Sequence, residues 1–197
     1  FCYVPPWEEI KKGTISQNTA STYFSILKAG LKQAFVDEYL TVDIGAKVKG
    51  ITNIEKPRVA LSMNEVQMLV DTPCKDDVLK RAFLFSILTG LRHSDIQTLK
   101  WKQIQQTSKG TWQAVIVQQK TKRPDYKPVT QQALQLCGER PNNEESLVFE
   151  GLTDASWISR PLKVWIEASG IKKHITFHCG RHSFASLCWK MVLTYIQ

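Results

Sequence analysis

The chain has 197 residues, of which 26 are lysine or arginine and 18 are aspartate or glutamate, so its formal net charge is +8. The composition is that of an ordinary globular protein, and the positive balance favours a polyanionic partner. Five scattered cysteines without a C-x-x-C pair indicate neither a disulfide framework nor a paired-cysteine zinc site. The longest apolar run, residues 82–91, is too short to cross a bilayer, which takes ~20 residues.

The N-terminal part of the chain predicts one helix followed by an open connection. Apolar residues recur at helical spacing between Ser16 and Leu40, which predicts a helix there. Residues 41–50 are polar with two glycines, and Pro57 favours extended backbone around it. We therefore expect residues 1–52 to be the end of a small helical domain, residues 53–60 a linker, and residues 61–197 the main domain.

The main domain begins with three predicted helices. Residues 62–65 match the S-x-x-E capping box, which opens a helix to residue 70. Asp76–Leu88 is strongly apolar on one side, which predicts a core helix, and Gly90 ends it. A shorter helix follows over Ser94–Leu99.

The middle of the main domain changes to β-forming residues. Trp112–Val117 is rich in them, and Tyr126–Val129 can pair with it across a polar, basic tip at residues 119–125. Helices are expected over Gln131–Cys137, over Asp154–Ala168, and from Thr176 or His178 onward. The predicted fold class is mainly α (α+β), helical with a small antiparallel β-sheet.

Basic residues are concentrated in two blocks of the main domain. Residues 97–130 contain seven lysines and arginines against one acid, and residues 160–190 contain six against one. The segment between them is net acidic, so the pattern predicts a positive face rather than a diffuse excess. Candidate contacts to a nucleic acid in the first block are Lys100, Lys122, Arg123 and Lys127.

Two short stretches place arginines and histidines where a fold could bring them together. Arg92 directly follows the core helix, and Asp95 can brace it if both lie on one helical turn. Downstream, His178 and Arg181 are three residues apart and share a helical face, with His182 adjacent. Two arginines brought together make a fork-shaped site for a phosphate or a carboxylate.

A metal site is the alternative interpretation of the histidines. His174, His178 and His182 fall at four-residue steps with Cys179 nearby, and three imidazoles on one helical face could bind zinc. Residues 176–177 have the character of a helix entry, which would break that spacing. We therefore expect no metal.

Both stretches resemble motifs of one protein family. TGLRHSDI resembles the first arginine box of the tyrosine recombinases, the phage integrase family, and FHCGRHSFASL resembles their H-x-x-R-H box. QKTK after a strand is similar to the hairpin that carries the catalytic lysine of the family. Residues 16–40 resemble the end of the helical core-binding domain that precedes the catalytic domain. The sequences of both boxes are most similar to those of integrases of Bacteroides-type mobile elements.

The resemblance implies a role for each matching residue. Arg92 and Arg181 would hold the non-bridging oxygens of one DNA phosphodiester, and His178 would assist proton transfer or hydrogen-bond the phosphate. Lys120 would give a proton to the departing 5′ oxygen, with Lys122 the second candidate. No cofactor is implied, because preset donors stabilise the charge of the transition state.

The remaining implications concern supporting residues and partners. Asp95 and His182 would support the site. The implied partner is double-stranded DNA, bound by a homotetramer on paired sites, without membrane association. The implied location is the bacterial cytoplasm, at the nucleoid.

The family pattern continues beyond the H-x-x-R box with a Gly-His or Gly-Trp motif and then the nucleophilic tyrosine. This sequence ends at Gln197, sixteen residues after Arg181, and Tyr195 is too early for that nucleophile. We therefore expect a catalytic domain incomplete at its C-terminus, whose 197 residues bind DNA but do not cleave it by themselves. The alternative is a non-catalytic DNA-binding protein with the same fold.

Overall fold

The computed structural model describes residues 15–55, 57–117 and 123–196, with backbone only for 189–196. The chain divides into two compact units, Phe1–Pro57 and Arg58–Gln197. The division falls inside the segment 53–60 that the sequence indicates as a linker. That the first unit is part of a core-binding domain stays a prediction.

The described residues of the first unit form one long helix and one short one. Helix α1 spans Gln17–Val36, and helix α2 spans Ile44–Lys47, within the segment predicted to be an open connection. The long helix ends four residues before the predicted Leu40. Glu38 just beyond it has a φ of 63°, a left-handed conformation that cannot continue a right-handed helix.

The second unit is mainly helical. Its first three helices are α3 (Met63–Asp71), α4 (Asp77–Thr89) and α5 (His93–Gln97). After the sheet come α6 (Gln131–Cys137), α7 (Ala155–Ala168) and α8 (Phe177–Ile196). The capping box expected at α3 is present, since Ser62 and Glu65 each accept a hydrogen bond from the other's backbone N–H.

A three-stranded antiparallel sheet lies between α5 and α6 in the chain. Its strands are β1 (Ile104–Gln106), β2 (Trp112–Val117) and β3 (Pro124–Val129), in that spatial order. The register pairs Ala114 with both Ile104 and Lys127. The small sheet was predicted, but β1 was not, because three residues are too few for an alternating pattern.

Helix α4 is the centre of the core of the second unit. Phe83 and Phe85 on it are fully buried. The ring of Phe83 makes edge contacts with Trp165 of α7 and Phe177 of α8, at centroid distances of 6.0 and 5.5 Å. Helix α8 therefore begins against the core helix. Among the described residues, no helix is long and apolar enough to cross a membrane.

Candidate functional site

A left-handed turn joins α4 to the arginine that follows it. Gly90 has a φ of +69°, and a Cβ there would lie 2.6 Å from Cδ1 of the Phe184 ring on α8. The hydroxyl of Ser86 donates to the Leu91 carbonyl at 2.8 Å. Only glycine fits this turn, because any side chain would meet the ring and strain the backbone.

Arg92 leaves this turn as the N-cap residue of α5, with its side chain exposed. Its backbone N–H donates to Asp95 Oδ2 at 3.2 Å. Asp95 was expected to brace Arg92. The contact is to the backbone, so Asp95 fixes the start of the helix and leaves the guanidinium available.

The first turn of α8 is fixed by packing and by an unusual cap. The N–H of Thr176 donates to Cys179 Sγ at 3.4 Å, so sulfur takes the place that a Glu or Gln oxygen has in a capping box. The buried Phe177 ring lies edge-on to Phe83 and to His93, the latter at 4.9 Å between centroids. This packing sets the direction of the next residue, His178, which is exposed.

Arg181, one turn along α8, is tied to the turn before Arg92. Its Nη1 donates to the Gly90 carbonyl at 2.6 Å, across 91 residues of sequence. The guanidinium has five donors, so the others remain for a ligand. Both arginines are thus positioned by the same turn.

His182 packs against His178, with ring centroids 4.6 Å apart and planes nearly perpendicular. Partial burial, together with the nearby charges of His178, Arg58 and Arg181, lowers the pKa of His182 below its ordinary value. The lowered pKa favours the neutral form of the His182 imidazole.

These groups surround one cavity of about 620 Å³. The cavity brings together Arg92, His178 and Arg181 of the sequence-based set, with His182 beside them. Among the described residues that line it, none is acidic. Its chemistry is that of an anion site with two imidazoles that can exchange protons. Lys120, the expected proton donor, lies outside the described residues.

The expected DNA contacts are distributed over different surfaces. Lys127 lines the cavity, and its Nζ lies 3.0 Å from Asp125. Lys100 lines another groove and pairs with Glu145 at 3.0 Å. Arg123 is exposed at the start of β3, and Lys122 lies outside the described residues.

Among the described residues that line the cavity, Arg58 is the charged one that the sequence analysis did not single out. It lies in a segment interpreted only as a linker, and a single arginine beside a proline carries no local signal for a site. Only its position in the fold, next to α8, reveals it.

The alternative zinc site requires His174, His178 and His182 on one helical face, and the structure does not place them so. Helix α8 begins at Phe177, so His174 precedes it and does not share a helical face with the other two histidines. In the described part of the chain, no group of three or more His, Cys, Asp or Glu side chains could hold a metal ion.

Comparison with protein families and solved structures supports a tyrosine recombinase catalytic domain with this mainly helical fold. The sequence model of the Phage integrase family matches residues 60–192. The chain belongs to the phage integrase family. A comparison with curated protein sequences gave no significant match.

Solved structures share the fold at low identity. A lambda integrase (75–356) dimer bound to a COC' core site is 20% identical with a TM-score of 0.71, over 95% of this chain and 71% of that one. The XerH recombinase bound to difH, a pre-cleavage complex, is 16% identical with a TM-score of 0.63, over 93% and 58%. The chain spans 56 to 71% of the lambda integrase chains it matches.

Proposed function

We propose that the cavity binds one DNA phosphodiester and activates it for strand cleavage and rejoining through a 3′-phosphotyrosine, in the integrase of a mobile element. The observation that carries the proposal is the convergence of Arg92, His178 and Arg181 on one cavity whose described lining has no acidic residue. Two guanidiniums that line one cavity suit the two non-bridging oxygens of a phosphodiester.

Each residue then has a defined part in the transesterification. A tyrosine hydroxyl gives up its proton to a base as its oxygen attacks phosphorus, the bond from phosphorus to the 5′ oxygen breaks, and the leaving oxygen takes a proton. Arg92 and Arg181 stabilise the negative charge on the non-bridging oxygens of the pentavalent intermediate or transition state. His178 hydrogen-bonds the phosphate or assists proton transfer, and Lys120 supplies the proton, with Lys122 the second candidate. The nucleophile is assigned to none of the tyrosines among these 197 residues.

Double-stranded DNA is the proposed partner, and a homotetramer on paired sites the proposed assembly. The net charge of +8 supports a polyanionic partner. Lambda integrase, which shares the fold, has been solved as a dimer on a core site and as a tetramer on a Holliday junction. Both the partner and the assembly are extended to this chain by proposal.

The test separates activation of the phosphate from the identity of the nucleophile. A random duplex pool is first selected for binding to the protein, which provides a preferred site. The selected DNA is then incubated with the protein and hydrogen peroxide, a small nucleophile that can take the place of the tyrosine, with EDTA present. We expect nicks at one position with free 5′-hydroxyl ends.

The variants decide between catalysis and binding alone. We expect Arg92→Ala and Arg181→Ala to abolish nicking, while each lowers the slope of log affinity against log salt by about one unit. Binding without nicking would instead support a non-catalytic DNA-binding protein. Nicking that occurs in a parallel incubation without EDTA, but not in the incubation with EDTA, would favour a metal-dependent hydrolase. A covalent protein–DNA adduct would show that a tyrosine of these 197 residues is the nucleophile.

A further inference from the structure

Arg58 lines the cavity although it is far in sequence from both arginine boxes. It is the first residue of the second unit, and its side chain shares the cavity with Arg92, Arg181 and His182. Three guanidiniums, which are always charged, therefore surround one space. Among the described residues, none of the ion pairs involves any of the three.

The segment that carries Arg58 is anchored to the helix that forms the site. The buried N–H of Leu61 donates to the hydroxyl of Ser183 on α8 at 2.8 Å. The Ala60 carbonyl accepts from Lys173 Nζ at 3.0 Å, just before α8 begins. The backbone is thus held two and three residues after Arg58, which keeps its side chain near the cavity.

The charge of Arg58 already acts within the site in the absence of DNA. It is one of the causes that lower the pKa of His182, after burial and His178 and ahead of Arg181. Arg58 is an exposed residue, and its guanidinium is nevertheless close enough to the His182 ring to lower its pKa. Arg58 therefore belongs to the electrostatic environment of the site.

Three arginines exceed what one phosphodiester requires. A phosphodiester carries one negative charge and two non-bridging oxygens. Arg92 and Arg181 can each donate hydrogen bonds to one of these oxygens. A cavity of about 620 Å³ is far larger than a single phosphate group. A DNA strand presents its phosphates in close succession, so the third guanidinium has a second anion within reach.

We propose that Arg58 binds the DNA phosphate adjacent to the one held by Arg92 and Arg181, on the same strand. This inference rests on the proposed function. Gripping two consecutive phosphates fixes the direction of the strand through the site, so the bonds to phosphorus lie in line for displacement. Arg58 is then a strand-positioning residue that contacts the substrate.

The test pairs arginine variants with neutral phosphates in the DNA. Each phosphate of the selected site is replaced in turn by an uncharged methylphosphonate, and the affinity is measured for the original protein, Arg58→Ala and Arg181→Ala. Neutralising a phosphate that an arginine binds should lower the DNA affinity of the original protein. It should leave the affinity of the variant that lacks this arginine unchanged. We expect the affinity of Arg181→Ala to be insensitive to replacement of one phosphate. The affinity of Arg58→Ala should be insensitive to replacement of the phosphate next to it.

Two further variants serve as controls. Arg160→Ala removes an exposed arginine of α7 that lies outside this cavity, and should remain sensitive at both phosphates. Arg58→Lys keeps the charge and should retain the salt slope, whereas Arg58→Ala should lower it by about one unit. In the DNA-free protein, NMR titration should show the pKa of His182 raised in Arg58→Ala.

The outcomes distinguish this inference from the proposed function. If Arg181→Ala shows an insensitive phosphate and Arg58→Ala shows none, the inference is overturned and the proposed function stands. If both variants are insensitive at the same phosphate, Arg58 is a third ligand of the scissile group and the adjacent-phosphate inference is also overturned. If neither shows one, the proposed function itself fails.

Discussion

The two units of the chain are stabilised in opposite ways. In the second unit, apolar side chains from α4, the sheet, α7 and α8 form one contiguous buried core. In the first unit, the long helix α1 buries only Ala20 and Ser21, while large apolar residues such as Ile26 remain 65% exposed. A helical spacing of apolar residues thus predicts the helix, but burial requires a partner surface.

Among the described residues of the first unit, hydrogen bonds from side chains to the backbone tie the returning chain to α1. Asn18 holds Ile54 from both sides, donating to its carbonyl at 2.9 Å and accepting from its N–H at 2.7 Å. Ser21 and Lys28 donate to the carbonyls of Ile51 and Val48. Such bonds define the path of the returning chain but contribute only about 0.5–1.5 kcal/mol each.

The largest effect should come from Gly90→Ala, where the core leaves no space. The left-handed backbone costs about 1–2 kcal/mol and the overlap with Phe184 about 1–3 kcal/mol more. We expect a loss of about 2–5 kcal/mol in the free energy of unfolding, measured by urea denaturation, and weaker DNA binding. Gly110→Ala is the matched control, because its φ is +78° but a Cβ there meets nothing closer than 4.0 Å. Equal losses in both variants would contradict the role of the ring.

A polar contact inside the core should have the next largest effect. Ser183→Ala leaves the buried N–H of Leu61 without its partner, which costs about 1–3 kcal/mol. Urea denaturation measures the loss, and Ser25→Ala, a hydroxyl in the first unit that bonds only within its helix, is the comparison. A smaller loss for Ser183→Ala than for Ser25→Ala would show that burial does not decide the effect.

The two hydrogen bonds between Asn18 and Ile54 in the first unit should contribute less to the free energy of unfolding. Their main effect should be to oppose local opening of this segment. Asn18→Ala removes both bonds to Ile54, with an expected cost of about 1 kcal/mol because the site is exposed. Hydrogen exchange at the Ile54 amide should accelerate. Asn18→Asp retains the acceptor and should protect that amide while losing the donor. Unchanged exchange in Asn18→Ala would mean that other contacts hold the segment.

The smallest effect should be a dependence on pH at Glu65. Burial alone raises the pKa of this carboxyl, but hydrogen bonds from Lys173 and Ser62 outweigh it and lower the pKa below 4.5. Because the folded-state pKa is lowered, the stabilisation is present above the unfolded value and is lost as the pH falls through the folded one. Glu65→Gln should lose about 0.2–1 kcal/mol at neutral pH and show a weaker loss in acid. If the free energy of unfolding of Glu65→Gln fell with pH in parallel with that of the original protein, this prediction would be contradicted.

The sequence predicted most of the second unit because its signals are local. The capping box of α3, the apolar α4, Gly90 and the spacing of His178 and Arg181 each depend on a few neighbouring residues. The resemblance of the two boxes to one family then related stretches that spacing alone could not connect.

The features that the sequence did not give depend on tertiary position. Arg58 reaches the site only because Leu61 is anchored to α8, and Asp95 contacts the backbone of Arg92 rather than its guanidinium. The exposure of the α1 stripe depends on which surfaces pack against it. None of these contacts leaves a periodic pattern in the sequence.

The hydrogen bond from Arg181 to the Gly90 carbonyl also has a consequence for folding. It joins positions 91 residues apart, so the ribosome completes the first arginine box long before the second appears. Contacts of such long sequence separation form late, since the loop between them must close first. In a chain made from its N-terminus, the Gly90 turn therefore exists before the arginine that bonds to its carbonyl, and this contact of the cavity can form only after residue 181 has been added.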